Sequence, residues 1–489
     1  MRVARLLMLI VIALPWAMSL RGEVPHVYVY RNDSAFHYLD GRDVLQISYD
    51  GNEAEGVRAM RIVATDSTET VVAMEAIDSV RMSTSAIPDF YFDLLDEPEL
   101  EELVQSRGKE YIYRATMRME GNGSYEDIDE QEVEFRGRGN STWHMPKKPY
   151  RFKMAKKRGV CGLRKAKTFA LLANFIDCTH MRNFVALKLA ELLELPYSNH
   201  AVPVRVFMNG RLKGLYMLTE KIGIGGGSVD IDEEKGMLFE LDTAMDEDYK
   251  FAYEWTEGGK DRKLTVMVKD PDIAEVAEAL GVEPEEYWDR WQADFMAFAD
   301  TISSAGLDAD LSVVLDLNSA VDFMMVNNLA LNEELNHPKS VYLYKDSIEG
   351  VYHFGPVWDF DWSFTFDGGY ATKTARRQLM TWDGTMNGAT FLRHIVRNRK
   401  FQELYAERWK QFKAEFYPAL LASMDEYAVL IEAAAKEDGL LWAGAMAEYK
   451  QGTVPSYHHR ERVEELKAWI AERVRYISGA VNFGLAPSR

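Results

Sequence analysis

Cysteine is nearly missing from this chain. Only Cys161 and Cys178 occur among 489 residues, so no disulfide framework can carry the fold, and whether the two pair or stay free is open. Neither stands in a C-x-x-C or zinc-ligand spacing. The H-E-x-x-H and G-x-S-x-G motifs are also absent, which removes the commonest zinc-protease and α/β-hydrolase signatures. There is no internal repeat and no low-complexity tract, and after the N-terminal segment no apolar run is long enough to span a bilayer. Positive charge is in deficit, with 57 Lys and Arg against 77 Asp and Glu and a formal net charge of −20. That balance argues against non-specific binding to nucleic acid or anionic lipid, so no nucleic-acid partner is expected, and the lack of a long apolar run leaves no stable transmembrane anchor expected.

Apolar residues, in contrast, make up 47% of the chain and aromatics 12%, ample for a large core. Arg2 and Arg5 precede an apolar run from Leu6 to Leu14, and Ala17-Met18-Ser19 offers small residues for cleavage. Residues 1–19 therefore read as an export signal rather than a span. Residues 24–86 read as a small β-rich module, with β-runs at Val27–Tyr30, Val44–Tyr49, Met60–Ala64, Val71–Met74 and Ala76–Val80 between turn-like pairs. Ser85 to Pro88 reads as a linker.

From Asp89 a charged segment leads to β-runs near Glu110–Glu120 and Gln131–Phe135. There follows R-G-R-G-N-S-T-W (136–143), then P-K-K-P-Y-R-F-K (146–153). A glycine-bearing turn exposes backbone N–H groups, and the surrounding basic residues could hold phosphates. A solvated basic hairpin is the alternative. Strand alternation puts Arg151 and Lys153 on one face. Asp177 or Thr179 can cap a helix running to about Leu195, with Met181, Phe184, Val185, Leu189 and Leu192 facing the core and Arg182, Lys188, Glu191 and Glu194 at the surface. Val202–Phe207 and Leu215–Leu218 flank Asn209-Gly210 as a hairpin. The Gly225–Ser228 stretch is a flexible loop without an accompanying basic residue. Met237–Asp242 and Leu264–Val268 read as strands, and helical patterning follows, with long segments at about 389–415, 418–436 and 457–478.

The central stretch, Asn332 to Trp362, begins where a helix from Ser319 to Leu331 ends, with Asp322 as a capping-box acid. A polar cluster leads to a hairpin of Val341–Lys345 and Val351–Phe354, turned at Gly350. Gly355-Pro356 then breaks the strand, and Asp359 and Asp361 stand among aromatics. Two carboxylates two apart on an extended backbone point the same way and suit a hard cation such as Mg²⁺. Aspartates that only cap the next turn are the competing reading. A polar loop, a hairpin and then a metal-binding Asp is also the order of parts in a protein-kinase active site.

Taken together, R-G-R-G-N-S-T-W with K-K-P-Y-R-F-K, L-L-A-N-F-I-D with M-R-N, V-F-M-N-G-R-L-K-G-L-Y-M-L-T-E-K, and H-P-K-S-V-Y-L-Y with G-P-V-W-D-F-D-W resemble the CotH kinase family of exported bacterial proteins. The resemblance implies an α+β, atypical protein-kinase-like domain over residues 90–489 with a helical C-terminal part, preceded by the small all-β module. It implies transfer of the ATP γ-phosphoryl group to Ser or Thr of an exported protein, in the periplasm, at the cell surface or after secretion, with Mg²⁺ or Mn²⁺. By motif, Lys153 would contact the nucleotide phosphates, with Arg138, Asn140, Lys147 and Lys148 lining the same pocket. Glu191 would be the ion-pair partner of Lys153, and Glu220 would belong to the hinge beside the adenine. Asp359, assisted by Asp361, would hold the metal. Where many family members place a catalytic Asp, this chain has Asn332-Glu333-Glu334, so Glu334 would take the proton; where a metal-binding Asn often follows, it has Lys339 or Ser340. Those departures leave a second reading, a catalytically weak or silent nucleotide-binding pseudokinase serving as a surface interaction module. A glycan-binding envelope protein is a third, opposed by aromatics that fall in core-like patterns.

Overall fold

The computed structural model describes residues 26–485 apart from 32–35, 41–43, 53–55, 65–66, 84–86, 96–106, 367–373, 381–385 and 450–458. The expected export signal and the first half of the linker lie outside the described residues. The chain divides into two compact units. One takes Met1–Gly137, Pro203–Tyr216 and Val429–Arg460; the other takes Arg138–Val202, Met217–Ala428 and Glu461–Arg489.

In the first unit, alternating apolar runs form β1 (His26–Arg31), β2 (Phe36–Asp40), β3 (Val44–Asn52), β4 (Gly56–Ala64), β5 (Glu69–Ala73) and β6 (Ile77–Ser83). They build two three-stranded sheets, β2-β1-β6 and β3-β4-β5, both antiparallel. β2 was not expected from sequence. Next come β7 (Asp89–Leu94), which the charged composition of its surroundings concealed, β8 (Tyr113–Glu120) and β9 (Ile128–Gly137).

β10 (Tyr150–Arg158), β11 (Ala166–Leu172), β12 (Val202–Met208) and β13 (Arg211–Glu220) complete a closed barrel in the order β10-β11-β13-β12-β7-β8-β9. The β12–β13 hairpin turns at Asn209 and Gly210, both at positive φ (49° and 71°), as an Asn-Gly two-residue turn requires. Within the first unit β12 pairs in parallel with β7, Arg205 opposite Asp89, and Arg205 clamps the buried Asp89 carboxylate at 2.6 and 2.8 Å. The barrel was not foreseen: its closure joins strands more than a hundred residues apart, which local periodicity does not report.

The second unit carries a five-stranded sheet, β15-β16-β14-β17-β18. Its strands are β14 (Met237–Leu241), β15 (Lys250–Glu257), β16 (Lys260–Asp270), β17 (Val341–Lys345) and β18 (His353–Phe354). β15 was missed, because its apolar residues alternate with charges over one short run. Phe239 and Phe251 pack on Phe295 of the helix Pro284–Ser303 at 5.0 and 5.6 Å, and Phe298 stacks on Tyr352 at 4.3 Å. Gly355, rather than Gly350, is the glycine at positive φ near the hairpin (127°).

The helices of this unit that bear on the site are α1 (Arg182–Leu192) and α2 (Leu317–Ala330). α1 starts later than expected, and Arg182 is buried rather than at the surface. α2 is capped by Asp316, which accepts the Ser319 N–H at 2.6 Å. Asp322 is therefore no capping-box acid; it pairs with Arg408 at 2.7 Å. The long helix expected at 389–415 is two, α3 (Asn387–Val396) and α4 (Arg399–Gln411), because Asn398 caps the second through its side chain. α5 (Tyr417–Tyr449), which from Val429 on belongs to the first unit, α6 (His459–Gly479) and a short 3₁₀ helix (Val481–Gly484) follow, so the C-terminal part is helical as expected. Cys161 and Cys178 do not form a disulfide. No helix among the described residues is long and apolar enough to cross a membrane.

Candidate active site

The site is built at the start of α1 and around the loop after β18, all within the second unit. Asp177 fixes the start of α1. Its Oδ1 accepts the Thr179 N–H and hydroxyl at 2.9 and 2.6 Å, and its Oδ2 accepts the Arg182 N–H at 2.8 Å. This is N-capping by carboxylate at a distance of several residues. Burial would raise the Asp177 carboxyl, but the Arg182 charge and these hydrogen bonds hold it below its usual range.

So placed, α1 presents Arg182 and Asn183 to the loop 355–362. Arg182 donates to the Asp361 backbone oxygen at 2.9 Å. Asn183 donates its side-chain amide to Asp361 Oδ1 at 2.5 Å and accepts the Phe360 N–H at 2.9 Å. The loop is not the extended segment expected from sequence. Asp359 lies in the left-handed region (φ 62°), where Asp is tolerated better than most residues. The two carboxylates are nevertheless near neighbours: burial first, and then the Asp359 charge, push Asp361 up to about 7.

Arg138, at the β9–β10 turn, faces the same acids. Desolvation lowers its guanidinium, and the charges of Asp359, Tyr342 and Asp361 oppose this; the guanidinium lies 5.2 Å from the Trp358 ring. The turn needs its glycine, since Gly139 has φ 82° and a Cβ there would lie 2.2 Å from Thr142 Oγ1.

Glu334 sits in a short 3₁₀ turn, Glu333–Asn336, and its own N–H donates to Asn332 Oδ1 at 3.3 Å. It is 3% exposed. Burial raises its proton affinity well above that of an ordinary carboxylate; the Asp359 charge adds to this, Lys339 opposes it, and Asp242 and Asp361 add further. Lys339 Nζ lies 3.6 Å from Glu334 Oε1. Glu333, by contrast, is paired with Arg377 at 3.1 Å.

The remaining predicted residues are more dispersed. Lys153 is exposed on β10, on the face opposite Phe152 and shared with Arg151. Lys147 is fully buried. Lys148 donates to the Trp143 carbonyl at 2.7 Å, and desolvation lowers its ammonium. Asn140 is exposed at the head of the 3₁₀ turn Ser141–His144. Glu191 is held by Lys188 one turn back, at 2.8 Å, a local i,i+3 partner in place of the expected Lys153. Glu220 is buried at the end of β13, where it accepts the His200 N–H at 2.8 Å and contacts His200 Nδ1 at 2.7 Å.

Sequence reasoning missed Asn183, Asp242 and Tyr342 as site residues and set Arg182 at the surface, while Asp177 was foreseen only as a helix cap. The M-R-N and L-L-A-N-F-I-D segments stood out in the sequence but suggested no role beyond capping by Asp177. Lys221 was missed as a cation. Desolvation lowers its ammonium, Asp270 opposes, and the charges of Arg151 and Lys269 add to the lowering, so three cations share this region.

Among the described residues no three His, Cys, Asp or Glu side chains form a group able to hold a metal by themselves. Asp359 and Asp361 offer two hard oxygen donors, the number with which Mg²⁺ is usually held when phosphates and water complete its shell. The donor set therefore fits Mg²⁺ or Mn²⁺ bound together with a nucleotide.

Neighbouring carboxylates, a nearby acid of raised proton affinity and a facing guanidinium thus come together in the second unit. The comparison with known families is more particular: the CotH kinase protein family matches residues 134–477, and the chain belongs to that family. No curated protein matches the chain.

Proposed function

We propose that this protein is an exported atypical kinase that moves the γ-phosphoryl group of ATP to a Ser or Thr hydroxyl of an exported protein. The observation that carries the reading is Glu334, a buried carboxylate of raised proton affinity beside the Asp359–Asp361 pair. Such a carboxylate is suited to take a proton from a hydroxyl at near-neutral pH. Bound with the nucleotide, Mg²⁺ would neutralise phosphate charge as it shifts during transfer. Asp359 and Asp361 would hold the cation, with Asn183 fixing the rotamer of Asp361. Arg138 and the strand cations Arg151 and Lys153 balance the phosphates, and Glu334 orients the acceptor hydroxyl and receives its proton. Catalysis of this type rests on positioning and charge neutralisation, which a fixed Asn–Asp–loop arrangement supplies.

One feature favours the pseudokinase reading: Glu334 is almost fully covered and already engaged by Lys339. Thermal shift with ATP and Mg²⁺, against ATP with chelator, tests nucleotide binding. Phosphate incorporation into offered proteins then separates enzyme from silent binder.

A further inference from the structure

Protein kinases commonly hold two Mg²⁺ ions, one on the metal-binding Asp and one on a residue of the catalytic loop. In this chain the family resemblance matches that second ligand to Lys339 or Ser340, and the side chain near Glu334 is an ammonium. Lys339 Nζ lies 3.6 Å from Glu334 Oε1 and 5.5 Å from the centre of the Trp362 ring, and its side chain is 20% exposed. The backbone fixes it there: the Lys339 N–H donates to the Glu334 carbonyl at 3.1 Å. The next residue, Ser340, sits at φ 51° and donates its N–H to Asp242 Oδ2 at 3.3 Å. Glu334, Asp359 and Asp242 all favour the charged form of this ammonium against its desolvation.

An ammonium is a compact point charge with three donors and no acceptor, so it answers carboxylates as a metal ion would but offers no ligand to one. Among the described residues no three His, Cys, Asp or Glu side chains form an ion-holding group, around Lys339 or elsewhere. We propose that Lys339 supplies the second positive charge of the site, so that this chain binds one divalent cation with its nucleotide rather than two. The inference rests on the kinase reading of Asp359 and Asp361. It assigns Lys339 a positioning role toward Glu334, keeping that side chain in place without a metal bridge.

The test counts Mn²⁺ ions bound per full-length chain in the presence of a non-hydrolysable ATP analogue, read by the electron paramagnetic resonance of free Mn²⁺ after equilibrium dialysis. The parent and Lys339→Arg should saturate at a single ion. Lys339→Asn removes the charge and adds an amide oxygen, and should take up a second ion at least about tenfold more tightly than any further ion on the parent. Two ions on the parent, or a single ion on folded Lys339→Asn, would overturn the proposal. Should Lys339→Asn fail to fold, the parent's stoichiometry alone still decides. A folded parent that binds no Mn²⁺ with the analogue overturns the kinase reading itself, an outcome distinct from two ions bound.

Discussion

Asn183 grips Asp361 at 2.5 Å while its amide oxygen takes the N–H of Phe360 at 2.9 Å. A single side chain at the start of α1 thus orients both a carboxylate and the backbone that carries it. The same Asn183 amide reaches Asn174 at 3.2 Å, so the acid is fixed to the segment before α1 as well.

Asn183→Ala should therefore weaken the site more than it weakens the fold. Loss of a hydrogen bond to a buried charged group costs about 1.5–3 kcal/mol, and Asp361, already pushed up to about 7, should take a proton more readily. Calorimetric titration of Mn²⁺ with a nucleotide analogue should show affinity falling about tenfold or more. Parent-like affinity in the folded variant would remove Asn183 from the site.

Lys153 is exposed on β10, so Lys153→Met should fold normally and lose about tenfold in ATP affinity through the missing charge. Lys147 is fully buried, and Lys147→Met should act first on melting temperature. Unchanged ATP affinity in folded Lys153→Met would move the phosphate contact to Arg151 or Lys221.

How far the site was legible in the sequence differs residue by residue. Asp359 and Asp361 could be chosen because two carboxylates in an aromatic stretch stand out locally, whereas Glu334 was reached only through the family resemblance. Asn183 could not, since its partner lies 178 residues away and an Asn on a helix carries no periodic signal. Arg182 was placed at the surface by its charge, yet capping by Asp177 turns it inward. The β12–β13 hairpin was readable from Asn209-Gly210. The barrel was not, because the parallel β7–β12 pairing is set by burial and by the Arg205–Asp89 clamp.

The fully buried Arg473 of α6 donates to the Asn328 carbonyl and Oδ1 at 2.9 and 2.7 Å, to the Ala375 carbonyl at 3.0 Å, and to the Arg377 carbonyl. Arg377 in turn pairs with Glu333. Arg473→Met orphans several buried acceptors at about 1–3 kcal/mol each, so chemical denaturation should show a loss of at least about 3 kcal/mol. A loss below about 1 kcal/mol would mean that this clamp is dispensable.

His200 gives the fold a pH dependence of defined sign. Its hydrogen bond to Glu220 raises its proton affinity above the ordinary value of 6.5, against the opposing effect of burial. The folded protein therefore keeps a proton that the unfolded chain releases above that value. The pair's contribution is full below about pH 6.5 and is lost as pH rises through the folded value. The melting temperature of the parent minus that of His200→Gln should shrink between pH 6 and pH 9. A difference that stays constant or grows would contradict the pairing.

The central claim is that Glu334 and Asp359 serve phosphoryl transfer in separate roles, and mass spectrometry of the purified protein after incubation with ATP and Mg²⁺ tests it most directly. The parent should gain phosphate on its own Ser or Thr residues or on an offered protein. Asp359→Asn should gain none and lose metal-dependent ATP binding, while Glu334→Gln should bind ATP with Mg²⁺ nearly as the parent does and transfer about 10²-fold more slowly. A folded parent that binds ATP with Mg²⁺ and gains no phosphate on any protein, or a Glu334→Gln variant that transfers as fast as the parent, would contradict the account.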